Sequence, residues 1–316
     1  MTDALTDQRP ASQGAGLGWR LVDLAVAVAR GLEGSKKRPG QPFWLVVPAV
    51  ILIGVLALGI AQMIWMSFHS LDTVTNEQGG LSLSQYQDLL AGPSADVYRA
   101  TLLRTIATAL IVTATAVALA LPTAYAIVSN PHRMWRRVAL LLLLVPFLMG
   151  ETVRTIGWVL IIGKNGALAS FTGFLGHEVK LLGTPIAVWI GMVQVMFPLA
   201  TLVMMPVMRR IDPDLERAAL TMGARPWQVW TRIVLPLARD GIVGASLIVL
   251  TLSMTEYLMP RILGLGKLPF VANTIQQMYL ERGNLNLGSA LSTVLLVVVI
   301  AMILSIVLLG RKRVPR

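Results

Sequence analysis

Glu151 and Glu256 are carboxylates set in otherwise apolar stretches of this 316-residue chain, each with an aromatic residue close by in sequence, Trp158 and Tyr257. Ionisable groups at membrane depth are costly unless paired or hydrated, which makes them functional candidates by default. The chemistry they suit is recognition of a multiply protonated amine, whose ammonium groups need anionic or aromatic partners. A second reading stays open beside it: Arg154 follows Glu151 at i+3 and Arg261 lies beyond Glu256, so each carboxylate has a nearby cation to neutralise it. Covalent chemistry finds no support. There is no cysteine, His69, His132 and His177 are scattered, and no residues have the spacing of a metal site or a Ser-His pair. The nearest approach to a nucleotide-binding G-x4-G-K-[ST] loop is Gly266-Lys267, which lacks the first glycine and is followed by Leu268. The expectation is a chain with no catalytic residue, no metal and no cofactor of its own.

Membrane-crossing helices must position those carboxylates. The chain is 55% hydrophobic and 14% charged, where a soluble domain carries about 25% charged residues, so a bilayer is its natural solvent. Crossing the hydrocarbon takes about 20 apolar residues in a helix. Six stretches qualify: Phe43 to Phe68, Thr101 to Ser129, Val138 to Gly163, Pro185 to Met208, Gly241 to Gly264 and Leu287 to Gly310. Pro48, Pro122, Pro146, Pro198, Pro206 and Pro260 fall inside or at the ends of these spans and are expected to kink them. Counted along unbroken helices from the inner face, Glu151 and Glu256 fall at a similar depth, about 20 and about 22 Å in.

Nineteen of the 27 Lys and Arg gather on one side of this alternation: before the first span, in the turn Arg133 to Arg137, between the fourth and fifth spans, and after the last. The positive-inside rule then places both termini in the cytoplasm, as an even number of spans requires. The formal charge of +11 therefore reports topology and not nucleic-acid binding, which needs its cations on one folded face. Residues 1–41 read as a cytoplasmic segment, 42–310 as the spanning domain and 311–316 as a basic tail. Within the first, Gly18 to Gly34 carries Leu21, Leu24, Ala25, Val28 and Leu32 on one face, which fits an amphipathic helix on the inner leaflet or a loosely ordered tail.

Between the fourth and fifth spans, residues 209–240 read as two short helices joined by a glycine. Asp212 caps the first, Pro213 takes its first position, and Leu215, Ala218, Ala219 and Met222 follow at helical spacing. Gly223 stops it. Pro226 restarts a helix carrying Trp227, Trp230, Ile233 and Val234, ending at Leu235-Pro236. A hairpin lying on the lipid headgroups would satisfy the same pattern. The series Arg217-Ala218-Ala219, three residues, Gly223, nine residues, Ile233, then Leu235-Pro236 resembles EAA-x3-G-x9-I-x-LP, the coupling loop of ABC importer permeases. The acidic position of that pattern is Arg217 here, with Glu216 one place earlier and so about 100° around the helix.

The resemblance runs from about Val138 to the end and is similar to spermidine/putrescine permeases at Pro146-Phe147, Val153-Arg154-Thr155, Trp158, Asn165-Gly166, Phe197-Pro198, Met205-Pro206, Pro260, Asn273, Ile275 and Gly288-Ser289-Ala290. Two positions depart: a double glycine is Gly264-Leu265, and a tryptophan shortly before Gly288 is Leu285. The resemblance implies an all-α integral membrane protein of the bacterial inner membrane, with six transmembrane helices, kinked spans and a cytoplasmic coupling-helix loop. It implies that Glu216, Arg217, Ala218, Ala219, Gly223, Ile233, Leu235 and Pro236 serve ATPase coupling. The substrate-pathway residues Glu151, Trp158, Glu256 and Tyr257 rest on the charge argument. Implied partners are ABC ATPase subunits holding the ATP and Mg, a second homologous permease, a periplasmic substrate-binding protein and the lipid bilayer. The implied cargo is a polyamine or related small cationic amine, with gamma-aminobutyrate and opines still open. An ion-coupled secondary transporter using the two glutamates as proton sites explains the charges but leaves the loop without a role. A membrane-embedded enzyme would need a catalytic cluster, and none is visible.

Overall fold

The computed structural model describes residues 47–71, 78–164, 166–174 and 180–311. The amphipathic stretch Gly18 to Gly34, the cations Lys36 to Arg38, Asn165, His177 and the tail beyond Arg311 lie outside the described residues. Contacts divide the chain into two units, Met1–Gly59 and Ile60–Arg316; the division falls within the first described helix, and every element after that helix belongs to the second unit. Helix α1, Val47–Ser67, is apolar on every side and largely exposed, as suits a helix facing lipid. A two-stranded antiparallel hairpin, β1 His69–Leu71 with β2 Gln78–Leu81, and a short helix α2, Ser84–Ala91, lead to α3, Ala95–Ser129.

The core is where α3 packs against α7, Pro185–Met208, and α10, Arg239–Thr255. Ala116, Ala120, Ala124, Ala187, Ala200 and Ala245 are fully buried there, and Met192, Met196, Met204 and Met208 fill the space between them. Lipid tails are as apolar as leucine, so spanning helices are held by close van der Waals approach across small residues. The flexible methionines adapt to what remains. Gly241 shows how close the approach is, because a Cβ on it would stand 3.1 Å from the Cβ of Val207. Buried hydroxyls return to their own helices, Thr113 to the Ala109 carbonyl at 2.7 Å and Thr201 to that of Phe197 at 2.8 Å.

Helix α7 coincides with the expected fourth span, and the Thr184 hydroxyl caps it by accepting from the Ala187 amide. Among the described residues four helices are long and apolar enough to cross a membrane, α1, α3, α7 and α13, Leu285–Arg311; counting as one span each of two bent pairs, the one that begins with Arg133–Leu148 and the one of Pro226–Leu237 with Arg239–Thr255, makes six. Two interruptions correct two expectations. The third span is not one helix from Val138 to Gly163: α4, Arg133–Leu148, stops and α5, Glu151–Ile162, restarts in a new direction after Met149 and Gly150. The fifth expected span, Gly241 to Gly264, ends its first helix at Thr255 and resumes as α11, Leu258–Leu263. Depth counted along an unbroken helix therefore does not apply to Glu151. Short helices α6, Ala167–Phe174, α8, Pro213–Thr221, α9, Pro226–Leu237, and α12, Val271–Gln276, complete the described chain. A π turn, Gln277–Glu281, follows α12.

Leu265 takes φ +51° and is the one non-glycine residue with positive φ among the described residues. A left-handed conformation costs a branched residue about 1–2 kcal/mol. Its side chain lies over Gly183, where a Cβ would come within 3.2 Å of Leu265 Cδ1.

The Gly241 contact makes a stability prediction. Gly241→Leu must push against the stiff β-branched Val207 and should destabilise by about 1–3 kcal/mol, seen as a lower thermal unfolding midpoint in detergent. Gly157→Ala, in open space on α5, should leave that midpoint unchanged or raise it.

Candidate docking loop and carboxylate cavity

The loop forms as its residues dictate. Asp212 accepts from the Asp214 amide at 2.9 Å and caps α8. At the other end Gly223 takes φ +88°, and the Ala224 amide reaches back to the Ala219 carbonyl at 3.0 Å, the left-handed helix stop that glycine serves best. Gln228 Oε1 then accepts from the Arg225 amide at 2.8 Å, opening α9. Helix α9 carries a π turn, Trp230–Val234, and continues past Pro236 to Leu237. Its axis meets that of α10 at 65°.

The eight residues expected to serve coupling divide between two faces. Ala219 is buried against the rest of the protein, as is Val234, while Glu216 and Ile233 are half-buried. Arg217, Ala218, Gly223, Leu235 and Pro236 are exposed, together with Leu215, Met222 and Trp227. Arg217 pairs with Asp214 at 3.1 Å, both highly exposed, an arrangement worth little in water. Glu216 points the other way: its Oε2 accepts from the Tyr125 hydroxyl of α3. The Tyr125 ring in turn meets Trp230 edge-on, 4.9 Å between centroids. Tyr125 carried no mark in the sequence, since its partners lie about ninety and a hundred residues away and nothing in its local pattern points to them.

The two candidate carboxylates come together. Glu151 opens α5 and Glu256 follows the last residue of α10, so both stand at interruptions. Their side chains meet on the wall of a cavity of about 450 Å³, lined also by Phe147, Arg154, Met196 and Tyr257. Neither takes the partner its sequence neighbours suggested. Arg154 Nη1 donates to the carbonyls of Pro146 at 3.3 Å and Met149 at 3.5 Å, at the free end of α4. Arg261 donates to Gln276 Oε1 at 2.7 Å and pairs with Glu281 at 3.4 Å, above the Tyr257 ring at 5.7 Å. Glu256 Oε1 accepts from the Met259 amide at 3.4 Å, capping α11. Among the described residues neither Glu151 nor Glu256 forms an ion pair. Carboxylates in contact repel unless a proton or a cation lies between them.

Trp158 is not part of the cavity wall: its indole donates to Gln194 Oε1 at 3.3 Å and ties α5 to α7. Tyr257 is, and around it Gln276, Asn273, Arg261 and Glu281 form a polar ring. Gln276, Arg261 and Glu281 are brought there from separate elements, which local spacing does not reveal.

The Gly223 turn can be tested on the chain alone. Gly223→Val places a branched residue in left-handed backbone, at about 1–2 kcal/mol or more, and should loosen the turn. Tryptic cleavage after the exposed Arg217, on the helix that this turn ends, should run faster in detergent than in the wild type, while Gly223→Asn, better tolerated at such a position, should fall between them.

Comparison with known proteins agrees with the helix plan. Residues 116–312 match the family described as binding-protein-dependent transport system inner membrane component. The spermidine/putrescine transport system permease protein PotB of Escherichia coli is 28% identical over 262 residues, covering 81% of this chain and 94% of PotB. The sulfate transport system permease protein CysW of Synechocystis is 30% identical over 122 residues, 39% of this chain and 44% of that one. In fold, the chain resembles a bacterial ABC transporter involved in the import of the acidic polysaccharide alginate, at TM-score 0.72 and 14% identity, covering 94% of this chain and 99% of that one. With most of its length matched, the chain belongs to the binding-protein-dependent transport system inner membrane components, the permease family of ABC importers.

Proposed function

We propose that this permease carries a small cationic amine of the polyamine type inward across the inner membrane, with both termini in the cytoplasm. The observation that carries the reading is the pair of touching carboxylates in the cavity between α5 and α10, free of ion pairs among the described residues. An ammonium group between them relieves their repulsion, and the Tyr257 ring on the same wall adds a face suited to a cation. PotB, named for spermidine and putrescine, supports the class. CysW, named for sulfate, shows that related chains also serve anions, so the cargo of this chain follows from its own carboxylates.

The permease would work with a second, homologous permease, two ATPase subunits that hold ATP and Mg, and a periplasmic binding protein that delivers the amine. ATP-bound closure of the ATPases draws the docking loops together and opens the pathway outward. Hydrolysis and release return it inward. The chain itself makes and breaks no covalent bond: Glu151, Glu256 and Tyr257 bind, and Arg217, Ala218, Gly223 and Leu235 with their neighbours dock.

Two measurements test this. A tagged chain purified from its native membrane should bring an ATPase with it, and spermidine or putrescine with the binding protein should stimulate hydrolysis; no ATPase in the purified complex would defeat the reading. In proteoliposomes, Glu151→Gln and Glu256→Gln should each cut amine uptake by about tenfold or more, the scale of one hydrogen bond to a charged group, with the complex intact. Wild-type uptake in both variants would remove the carboxylates from the pathway.

A further inference from the structure

Tyr125 holds both limbs of the docking loop. It lies near the end of α3, three residues beyond Pro122. Its hydroxyl donates to Glu216 on α8, and its ring packs on Trp230 in the π turn of α9. The covalent route from α8 into the membrane is weaker, because between α7 and α8 the chain passes through Arg209 to Asp212 outside any helix. A push on α8 would be absorbed in that turn. Through Tyr125 it reaches α3, which packs along both α7 and α10, and these carry Met196 and Thr255 of the cavity wall.

We propose that Tyr125 is a positioning residue that makes α3 and the docking loop move as one body, so that motion of α8 is delivered to the carboxylate cavity. The proposal rests on the docking-loop reading above. It also gives Glu216 a role different from an outward contact: its carboxylate anchors the loop inward, and Arg217 with Asp214 is left as the charged pair on the exposed face.

The test uses the full complex with the ATPase that co-purifies with it. Because the chain has no cysteine, it can be purified alone, spin-labelled at Leu119→Cys and Thr221→Cys, and then returned to its partners, so that the labels report the distance from α3 to α8 without background from other subunits and without any substrate. The distribution should be narrow in the wild type and in Glu216→Gln, which keeps an acceptor for the hydroxyl. It should broaden in Tyr125→Phe, which keeps the ring on Trp230, and in Glu216→Ala. Tyr125→Phe should leave complex yield and basal ATP hydrolysis unchanged and lower spermidine uptake per ATP by about tenfold, as for one hydrogen bond to a charged group. Combined with Glu216→Ala it should be no worse than either alone. A wild-type distribution in Tyr125→Phe, equal defects in Glu216→Gln and Glu216→Ala, or multiplying defects would each overturn the proposal. Loss of the ATPase from the wild-type complex would instead overturn the docking-loop reading, a result that leaves its own signature before any variant is made.

Discussion

Backbone amides and carbonyls released inside a hydrocarbon layer must find partners within the protein, and the two interrupted spans are possible because side chains supply them. Arg154 donates to the carbonyls of Pro146 and Met149 where α4 ends. Glu256 accepts from the Met259 amide where α11 begins, and Asn273 Nδ2 donates to the Tyr257 carbonyl at 2.8 Å. Unmet, each such group would cost about 1–3 kcal/mol, and an unbroken helix would be the better structure. With the groups met, α4 and α10 stop short. The carboxylates then sit at the ends of elements, side by side on the wall of one cavity, and not along the flanks of two continuous rods.

This division of labour also decides which charges are left over. A guanidinium three residues from a carboxylate is the natural candidate to neutralise it, yet Arg154 serves the backbone instead. Arg261 passes over Glu256 for Glu281, twenty residues on. Both arginines therefore act as structural fasteners near the cavity. The core beneath is made of alanine and methionine, whose thin, adaptable contacts let three helices lie close without locking them through bulky interdigitation.

Much of this was legible in residue order, and the remainder was not for physical reasons. Span α7 could be read to its last residue because Thr184 and Pro185 begin it and an uninterrupted apolar run follows. The loop between α7 and α10 could be read because its signals are local: a cap, a proline, a glycine that must turn left-handed. The breaks at Gly150 and Glu256 were hidden, since hydropathy counts residues and carries no direction. Pro146 and Gly150 hinted at a bend, but only the bonds Arg154 makes with the freed carbonyls decide it. Likewise the pairing of Glu151 with Glu256 and the link from Tyr125 to Glu216 join positions about a hundred residues apart, where spacing says nothing. Trp158 was placed correctly in its helix and wrongly in its company, because Gln194 draws it to α7.

The π turn Trp230–Val234 gives the nine-residue interval between Gly223 and Ile233 a meaning that a count does not show. A π turn holds one residue more than the same stretch of ordinary helix. In an α-helix, one residue added or removed swings everything beyond it through about 100°, whereas a bulge takes up the extra residue and keeps both ends in phase. A chain one residue shorter here would have to choose between Trp230 resting on Tyr125 and Val234 buried in the core. The interval is therefore a specification of angle written as a length.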